Sequence, residues 1–358
     1  MHHSLLINLA VLFDKPTGIA TYAQNVISSL DSLQPTLLTA QNFPGFAHHA
    51  IPSDLTPAQG SKGHIKRLLW TQFQLPKIYR QLKANLIYSP LPEAPLYTQA
   101  RSVVMCHDLI PLRFPRLTSP LTNYFRYVVP QVLRQAEHII CNSQATASDL
   151  VDRYGISAAK VTPILLGYDR TNFYPRPVND TEHPYFLYLG RCDPYKNLSR
   201  LIAAFAALPN RDYHLAIAGS PDPRFTPQLQ QQVRELDLTE RVRWLNYLSY
   251  EELPVIISNA VALIFPTLWE GFGLPALEAM ACGTPVITSN LASLPEVTGD
   301  AAMLINPYST EEITFAMVAI AEDNTVRSQL SQLGLAQAKR FSWEKTGRET
   351  REVLKRFL

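Results

Sequence analysis

The sequence predicts an α/β fold made of two parallel-sheet domains. Short apolar runs alternate with amphipathic stretches from Leu5 onward, as in parallel sheets whose faces are covered by helices. The length of 358 residues suggests two domains. Between Tyr168 and Pro184 the chain is rich in proline, asparagine and aspartate and lacks apolar periodicity, which is typical of an interdomain linker.

Composition excludes several classes of protein. The formal net charge of +2 argues against nucleic acid as the main partner. The four cysteines have no metal-ligand spacing and lie next to apolar runs or within helices, which predicts small core residues in a reducing compartment. The first apolar residues follow no Lys or Arg and precede no cleavage site, so they predict a strand rather than a signal peptide. No apolar run approaches the ~20 residues of a membrane span.

The most informative stretch runs from residue 260 to 307. It predicts a buried strand at 261–265, a loop, a helix that begins near Pro275 and ends at Gly283, and a second buried strand at 285–288. Gly271 and Gly273 allow backbone to approach a ligand closely, because they carry no Cβ. A helix N-terminus at this place suits an anion.

Two carboxylates flank this loop. Glu270 precedes the glycines, and Glu278 lies about one turn inside the helix, so both can face one ligand from different heights. Carboxylates only accept hydrogen bonds, which suits hydroxyl groups. Next to an anion site, they predict a polyhydroxylated ligand that also carries phosphate, such as a nucleotide sugar. An ordinary βαβ unit with solvated glutamates is the alternative.

The strand predicted at 185–189 is followed by two cations. Arg191 and Lys196 leave the strand end together, before a helix from Leu198. An arginine fork and a lysine point charge can neutralise a diphosphate without a metal ion. Solvated surface charges are the alternative.

In the first half, a strand at 5–13 leads through a glycine turn to a helix from Ile19. Gly18 is a single glycine, so a dinucleotide-binding G-x-G-x-x-G is absent and a plain βα turn remains open. The strand at 102–106 ends in His107 and Asp108, where α/β sheets place ligand chemistry. We interpret Asp108 as a turn former or helix cap, and a purely structural role for His107 remains open.

The span 41–61 predicts a loop, and 62–83 predicts two helices broken at Pro76. No acidic residue occurs between Asp54 and Glu93, whereas the same span is basic and carries apolar residues at helical spacing. One interpretation is a surface that meets anionic membrane or a lipid-diphosphate acceptor. We favour the other, two core helices with solvated basic faces.

The pattern from Glu270 to Glu278, with Gly271-Phe272-Gly273-Leu274-Pro275 between them, resembles the retaining GT-B glycosyltransferases of family 4, the glycosyl transferases group 1. The resemblance continues through Ser293-Leu294-Pro295-Glu296-Val297 and includes Gly190-Arg191 with Lys196-Asn197. It implies two Rossmann-like domains that face each other across a cleft, with a C-terminal helix that crosses back to the first. We expect an acceptor domain at 1–172, a linker at 173–184, a donor domain at 185–340 and the crossover helix at 341–358.

The resemblance also implies site residues. Glu278 would hold the ribose, Glu270 would contact the donor sugar, and His107 would lie beside that sugar. The implied catalytic residues are Glu270, His107, Arg191 and Lys196. The implied donor-binding residues are Gly18, Gly190, Arg191, Lys196, Gly219, Tyr247, Leu248, Glu270, Gly271, Phe272, Gly273, Leu274 and Glu278. No metal and no cofactor are expected, since the nucleotide sugar is a substrate.

The implied function is transfer of a hexose, with retained configuration, from a nucleotide sugar to a saccharide or lipid-linked acceptor in bacterial surface polysaccharide synthesis. Overall likeness favours UDP-glucose and a cyanobacterial envelope polysaccharide, with GDP-mannose as the alternative donor. The expected location is cytoplasmic, with or without peripheral contact at the inner face of the membrane. A nucleotide-sugar epimerase and a non-catalytic nucleotide-sugar binder are the alternatives from other classes.

Overall fold

Two parallel sheets organise the chain in the computed structural model, which describes residues 4–12, 18–116, 119–177 and 183–358. The first sheet belongs to a unit formed by Met1–Gly167 and Trp343–Leu358, and the second to a unit formed by Tyr168–Ser342. The predicted α/β fold class is confirmed. The predicted domain boundary, 172/173, lies later in the chain than this division, and part of the predicted linker, 178–182, lies outside the described residues.

The first unit contains an all-parallel sheet covered by helices. Its strands are β1 (Leu5–Asn8), β2 (Thr36–Thr39), β3 (Ala47–Ala50), β4 (Leu86–Ser89), β5 (Ser102–Cys106), β6 (His138–Cys141) and β7 (Val161–Pro163). The strand order among the described residues is β3-β2-β1-β4-β5-β6-β7. β3 is a correction to the predicted loop at 41–61, and its residues are mostly exposed because it forms the edge of the sheet.

The helices of this unit before β7 follow the predicted alternation. They are α1 (Gly18–Ile27), α2 (Gly60–Phe73), α3 (Leu75–Gln81), α4 (Ile110–Arg113), α5 (Pro120–Tyr127), α6 (Val129–Gln135) and α7 (Gln144–Tyr154). Ser143 caps α7 by accepting a hydrogen bond from the amide of Thr146, and this stabilises the helix start. The break between α2 and α3 falls at Gln74, so that Pro76 lies in the first turn of α3, where proline is tolerated.

The second unit repeats the architecture with a second parallel sheet. Its strands are β8 (Tyr185–Leu189), β9 (His214–Ala218), β10 (Val242–Asn246), β11 (Ala262–Phe265), β12 (Val286–Ser289) and β13 (Met303–Ile305). Its helices are α8 (Leu198–Ala206), α9 (Thr226–Glu235), α10 (Leu253–Ser258), α11 (Leu274–Ala281), α12 (Leu294–Thr298), α13 (Thr310–Glu322) and α14 (Asn324–Ala338). The strand order is β10-β9-β8-β11-β12-β13. The order therefore reverses between β8 and β11, which is where open α/β sheets bind ligands.

The last helix, α15 (Trp343–Lys355), belongs to the first unit. Trp343, Val353 and Leu354 are buried, and the Thr346 hydroxyl donates to the carbonyl of Leu165. A Cβ at Gly347 would lie 2.2 Å from the Ser29 hydroxyl oxygen, so the absence of a side chain at this position makes room for Ser29 against the helix. No helix in the described part of the chain is long and apolar enough to cross a membrane. All four cysteines are buried and free, as predicted.

Candidate functional site

A close ion pair lies where the second sheet changes direction. Lys196 follows β8, and Glu270 follows β11, the neighbouring strand. The Lys196 Nζ atom lies 2.6 Å from Glu270 Oε1, and the two side chains are only 12% and 11% exposed. The structure therefore brings together two predicted site residues that are far apart in sequence. Because both charges are largely removed from water, each depends on the other for stabilisation.

The turn that carries Lys196 is fixed to the turn that carries Glu270. Asn197 adopts a left-handed conformation at φ 65° and donates its amide to the carbonyls of Pro266 and Pro307, at 2.9 and 2.6 Å. The Leu268 amide donates to the carbonyl of Tyr195 at 2.7 Å. These contacts set the position of the Lys196 backbone before any ligand binds. The sequence identifies Asn197 only as part of the resemblance and gives it no role.

The loop after Glu270 is held from a neighbouring helix. The Ser293 hydroxyl, fully buried, is shared between the carbonyls of Glu270 and Phe272, at 3.0 and 2.8 Å. Gly273 adopts φ 103° immediately before α11, and a Cβ there would lie 2.6 Å from Leu294 Cδ2. The glycine is therefore required both for the turn and for packing. Helix α11 starts at Leu274, in the same loop segment as Glu270.

Glu278, on α11, has an unusual protonation equilibrium. Burial raises the pKa of its carboxyl to about 7, and the nearby charge of Asp169 contributes to the same shift. Asp169 accepts a hydrogen bond from the Tyr250 hydroxyl at 3.1 Å. This carboxyl is therefore partly protonated near neutral pH. Hydroxyl groups of a ligand can donate hydrogen bonds to its ionised form, in place of the water that burial removes. The sequence does not identify Asp169 or Tyr250 as neighbours of Glu278.

The raised pKa of Glu278 predicts how stability depends on pH. The native state binds this proton more tightly than the unfolded chain, so the free energy of unfolding should fall from pH 4.5 to pH 7 and then level off. The loss attributable to this group is up to about 3 kcal/mol, because one pKa unit corresponds to about 1.4 kcal/mol. In denaturant unfolding, the free energy of unfolding of Glu278→Gln should fall less over this pH range, because the variant lacks this titrating group. Glu235→Gln, on an exposed position of α9, should retain the full decline; an identical decline in the Glu278 variant would contradict the assignment.

Two glycines bring the ends of β8 and β9 together. The Gly190 amide donates to the carbonyl of Ala218 at 2.9 Å, and the Gly219 amide donates to the carbonyl of Asn246 at 2.7 Å. Gly219 has φ 154°, and a Cβ there would lie 1.9 Å from the Gly190 carbonyl oxygen. No other residue fits at this place without movement of the backbone. Tyr247 and Leu248 lie on the next loop outward, after β10, with Tyr247 67% exposed.

Arg191 lies at the same edge of the sheet, and its ion-pair partner is Asp193 rather than Glu270. Its side chain is 68% exposed, and its Nε lies 2.8 Å from the carboxylate of Asp193, which is 5% exposed. On the loop after β9, Arg224 binds Asp222 through two hydrogen bonds and holds the pKa of that carboxyl well below its usual range. Two arginine–aspartate pairs therefore lie on the loops after β8 and β9. The sequence identifies Arg191 but neither of the aspartates nor Arg224.

His107 lies in the first unit, at the end of β5. Its Nε2 donates to the carbonyl of Pro90 at 3.0 Å, and its ring meets the ring of Tyr22 edge-on at 5.1 Å. Burial lowers the pKa of His107 to about 4, although the hydrogen bond to Pro90 acts in the opposite direction. The imidazole is therefore neutral at physiological pH, with Nδ1 left as an acceptor. Asp108 accepts a hydrogen bond from the amide of Ile110 at 2.9 Å, which confirms its interpretation as a turn former.

Gly18 begins α1 in the same unit. Among the described residues, no atom would lie within 4 Å of a Cβ at this position. The turn before it, 13–17, lies outside the described residues. Within the described ranges, no three His, Cys, Asp or Glu side chains are arranged to hold a metal ion.

Two family models match the chain in adjoining segments. The model of the glycosyl transferases group 1 matches residues 169–336, and that of Glycosyltransferase Family 4 matches residues 16–172. The two segments correspond closely to the two structural units.

Individual relatives are similar in sequence or in fold. O-antigen chain mannosyltransferase B of Escherichia coli is 34% identical over 219 residues, which are 60% of this chain and 54% of that protein. The chain thus matches about half the length of that relative. O-antigen chain mannosyltransferase RfbU of Salmonella typhimurium is 25% identical, over 85% of this chain and 87% of the relative.

A solved structure shows the same fold. HepE of Anabaena, crystallised with UDP-glucose, superposes with a TM-score of 0.76 at 18% identity, over 98% of this chain and 99% of that one. With both segments matched and the fold shared along nearly the whole chain, the protein belongs to glycosyltransferase family 4 and has the GT-B fold.

Proposed function

We propose that this protein transfers a hexose from a nucleotide sugar to a saccharide or lipid-linked saccharide in the synthesis of a bacterial surface polysaccharide. The observation that carries the proposal is the contact between Lys196 and Glu270, 2.6 Å apart at the switch point of the second sheet. A cation suits the leaving diphosphate, and a carboxylate suits the hydroxyl groups of the sugar attached to it. Family membership and the names of the two mannosyltransferase relatives agree with this chemistry.

In the proposed reaction, the bond between the anomeric carbon and the diphosphate oxygen breaks, the acceptor hydroxyl oxygen forms a bond to the same carbon, and the hydroxyl proton passes to the departing diphosphate. Lys196 and Arg191 stabilise the charge that develops on the diphosphate, which is the main catalytic contribution. Glu278 accepts hydrogen bonds from the ribose, while Glu270 and the amides of Phe272 and Gly273 contact the hexose. No side chain is an evident covalent nucleophile, so we propose front-face displacement, with retained configuration and without a metal ion.

The identity of the donor is the finer part of the proposal. The relatives at 34% and 25% identity are named as mannosyltransferases, whereas the neighbour crystallised with UDP-glucose is only 18% identical. The preference for UDP-glucose drawn from the sequence rests on overall likeness and on no residue. We therefore place GDP-mannose first and UDP-glucose second.

A donor panel tests both parts. Thermal unfolding of the purified chain with GDP, UDP and ADP should show stabilisation by GDP, because a ligand at 100 times its dissociation constant adds about 2.7 kcal/mol. Slow hydrolysis of GDP-mannose, insensitive to a chelator, should follow. Stabilisation by UDP alone would instead favour UDP-glucose as the donor. No stabilisation by any nucleotide, activity lost with a chelator, or an epimerised nucleotide sugar as product would each overturn the proposal.

The role of Arg191 has its own test. A charged hydrogen bond contributes roughly 1.5–3 kcal/mol, so Arg191→Ala should weaken nucleoside diphosphate binding by about tenfold to a hundredfold. The substitution also removes a cation that lies 2.8 Å from the buried Asp193 carboxylate, which increases the repulsion between that carboxylate and the diphosphate. Calorimetry measures the affinity, and Arg234→Ala, on an exposed position of α9, is the matched control. Equal affinities for the two variants would rule out this role.

A further inference from the structure

Helix α2 turns a large apolar stripe toward solvent. Ile65, Leu69 and Phe73, each four residues apart and therefore on one side of the helix, are 52%, 53% and 64% exposed. The opposite side is firmly anchored, since Arg67 pairs with Glu93 at 2.8 Å with both side chains at most 5% exposed. The interpretation of 62–83 as ordinary core helices therefore describes only one face. A solvated helix face is normally polar, so this face is suited to a partner.

A loop tied to the end of α2 carries a further exposed aromatic side chain. The Gln72 amide donates to the carbonyl of Ala94 at 3.0 Å and accepts from the amide of Leu96 at 2.9 Å, which ties the end of α2 to that loop. Tyr97 follows, 87% exposed, and its hydroxyl donates to Gln131 of α6. Among the described residues of the first unit, every exposed large apolar side chain lies between residues 65 and 127. They are Ile65, Leu69, Phe73, Leu82, Tyr97, Leu121 and Tyr127.

The charges around the stripe are almost all positive. Five basic side chains of α2, α3 and the residues that follow are exposed, namely Lys62, Lys66, Lys77, Arg80 and Lys83. Asp54 pairs with Lys66, and the carboxylate of Glu93 is neutralised by buried Arg67. Between these two acids the sequence contains no other. The exposed apolar side chains of α2 therefore lie on a stretch of chain, 62–83, that contains five exposed basic residues and no acidic one.

We propose that this surface, defined by the exposed apolar residues between 65 and 127 and the five cations, docks on an anionic phospholipid bilayer. Apolar side chains enter the acyl boundary, tyrosines suit the headgroup level, and each cation adds attraction to anionic lipid. A second copy of the chain fits less well, because a homotypic contact would place lysines against lysines. A soluble saccharide has no use for isoleucine, leucine and phenylalanine side chains.

The side of α2 opposite the stripe is linked to the loop that holds His107. The Arg67–Glu93 pair holds α2 against the loop that follows β4, and the carbonyl of Pro90 in that loop accepts the hydrogen bond from His107. All these residues belong to the first unit.

The test is flotation of the full chain with phosphatidylcholine vesicles that contain or lack phosphatidylglycerol, with no enzymatic readout. At low salt the chain should float with the anionic vesicles and not with the neutral ones. The pair Leu69→Ser and Phe73→Ser should lower the partition coefficient more than tenfold, since each side chain leaves an apolar environment. Lys77→Gln with Lys83→Gln should lower it by at least tenfold, because one cation near an anionic surface corresponds to about fivefold.

Phe315→Ser is the matched control, since Phe315 is 72% exposed on α13 of the other unit and should not affect flotation. Circular dichroism and the melting temperature check that the variants fold. Absence of flotation at low salt would overturn the proposal, and so would wild-type flotation by the Leu69 and Phe73 variant. If those substitutions instead convert a vesicle-free oligomer into a monomer, the surface binds a second copy and the membrane assignment is wrong.

Discussion

Glu270→Gln is expected to fold normally, to bind nucleoside diphosphate and to lose about a hundredfold to a thousandfold in kcat. The substitution keeps the shape of the side chain but removes the charge that lies 2.6 Å from Lys196. The neutral amide also accepts hydrogen bonds more weakly than the carboxylate from the hydroxyls of the hexose. Diphosphate affinity should be preserved or improved, because the Lys196 ammonium then has no competing anion. Initial rates with saturating donor, together with calorimetry for the diphosphate, measure the two effects separately.

A matched control is Glu322→Gln, an exposed glutamate at the end of α13 that should leave both quantities unchanged. Wild-type turnover in Glu270→Gln would remove this residue from the catalytic machinery. A parallel loss of affinity and turnover would mean that the ion pair mainly holds the site together.

Gly219→Ala should destabilise the second unit more than any other single methyl addition at a site glycine. The new Cβ would lie 1.9 Å from the Gly190 carbonyl oxygen, so the ends of β8 and β9 must separate. Backbone strain at φ 154° contributes roughly 1–3 kcal/mol, and the overpacking a further ~1–3 kcal/mol. Equilibrium unfolding should show this loss, and nucleotide binding should fail even where the unit remains folded.

Gly299→Ala is the matched control, because it separates the cost of backbone strain from the cost of steric overlap within the same unit. Gly299 also has a left-handed φ, of 52°, but the nearest atom to its Cβ would be 3.5 Å away, an ordinary contact. Its ψ of −134° lies outside the left-handed helical well, so Gly299→Ala should lose roughly 1–3 kcal/mol from backbone strain alone and should retain nucleotide binding. Equal losses of unfolding free energy in the two variants would show that the close approach of Gly219 to Gly190 adds no cost beyond backbone strain.

Several parts of the fold were predictable because they depend on local sequence. Apolar runs such as 261–265 become buried parallel strands in both units, and the glycine and proline positions around 271–275 locate the start of α11. The edge strand β3 was not predictable, because Ala47-His48-His49-Ala50 has neither an apolar run nor alternation. Its strand conformation comes from pairing with β2, a tertiary contact.

The residues of the candidate site also divide into those that local sequence predicts and those that only tertiary contacts identify. Glu270, Glu278, Lys196 and Arg191 could be chosen from the sequence because charged residues follow predicted strands at the edge where parallel sheets bind ligands. The residues that fix them, Asn197 and Ser293, act through hydrogen bonds to carbonyls distant in sequence, which no local pattern reports.

The sequence by itself determined the alternation of strands and helices, the glycines at the ends of β8 and β9, and the identity of the charged residues at the sheet edge. Only the tertiary structure decided that Lys196 pairs with Glu270 rather than with Asp193, that burial holds the Glu278 proton to about pH 7, and that one face of α2 is left uncovered. The physical reason is that periodicity shows which side chains share a face, whereas burial, pairing and pKa depend on what the rest of the chain places against that face.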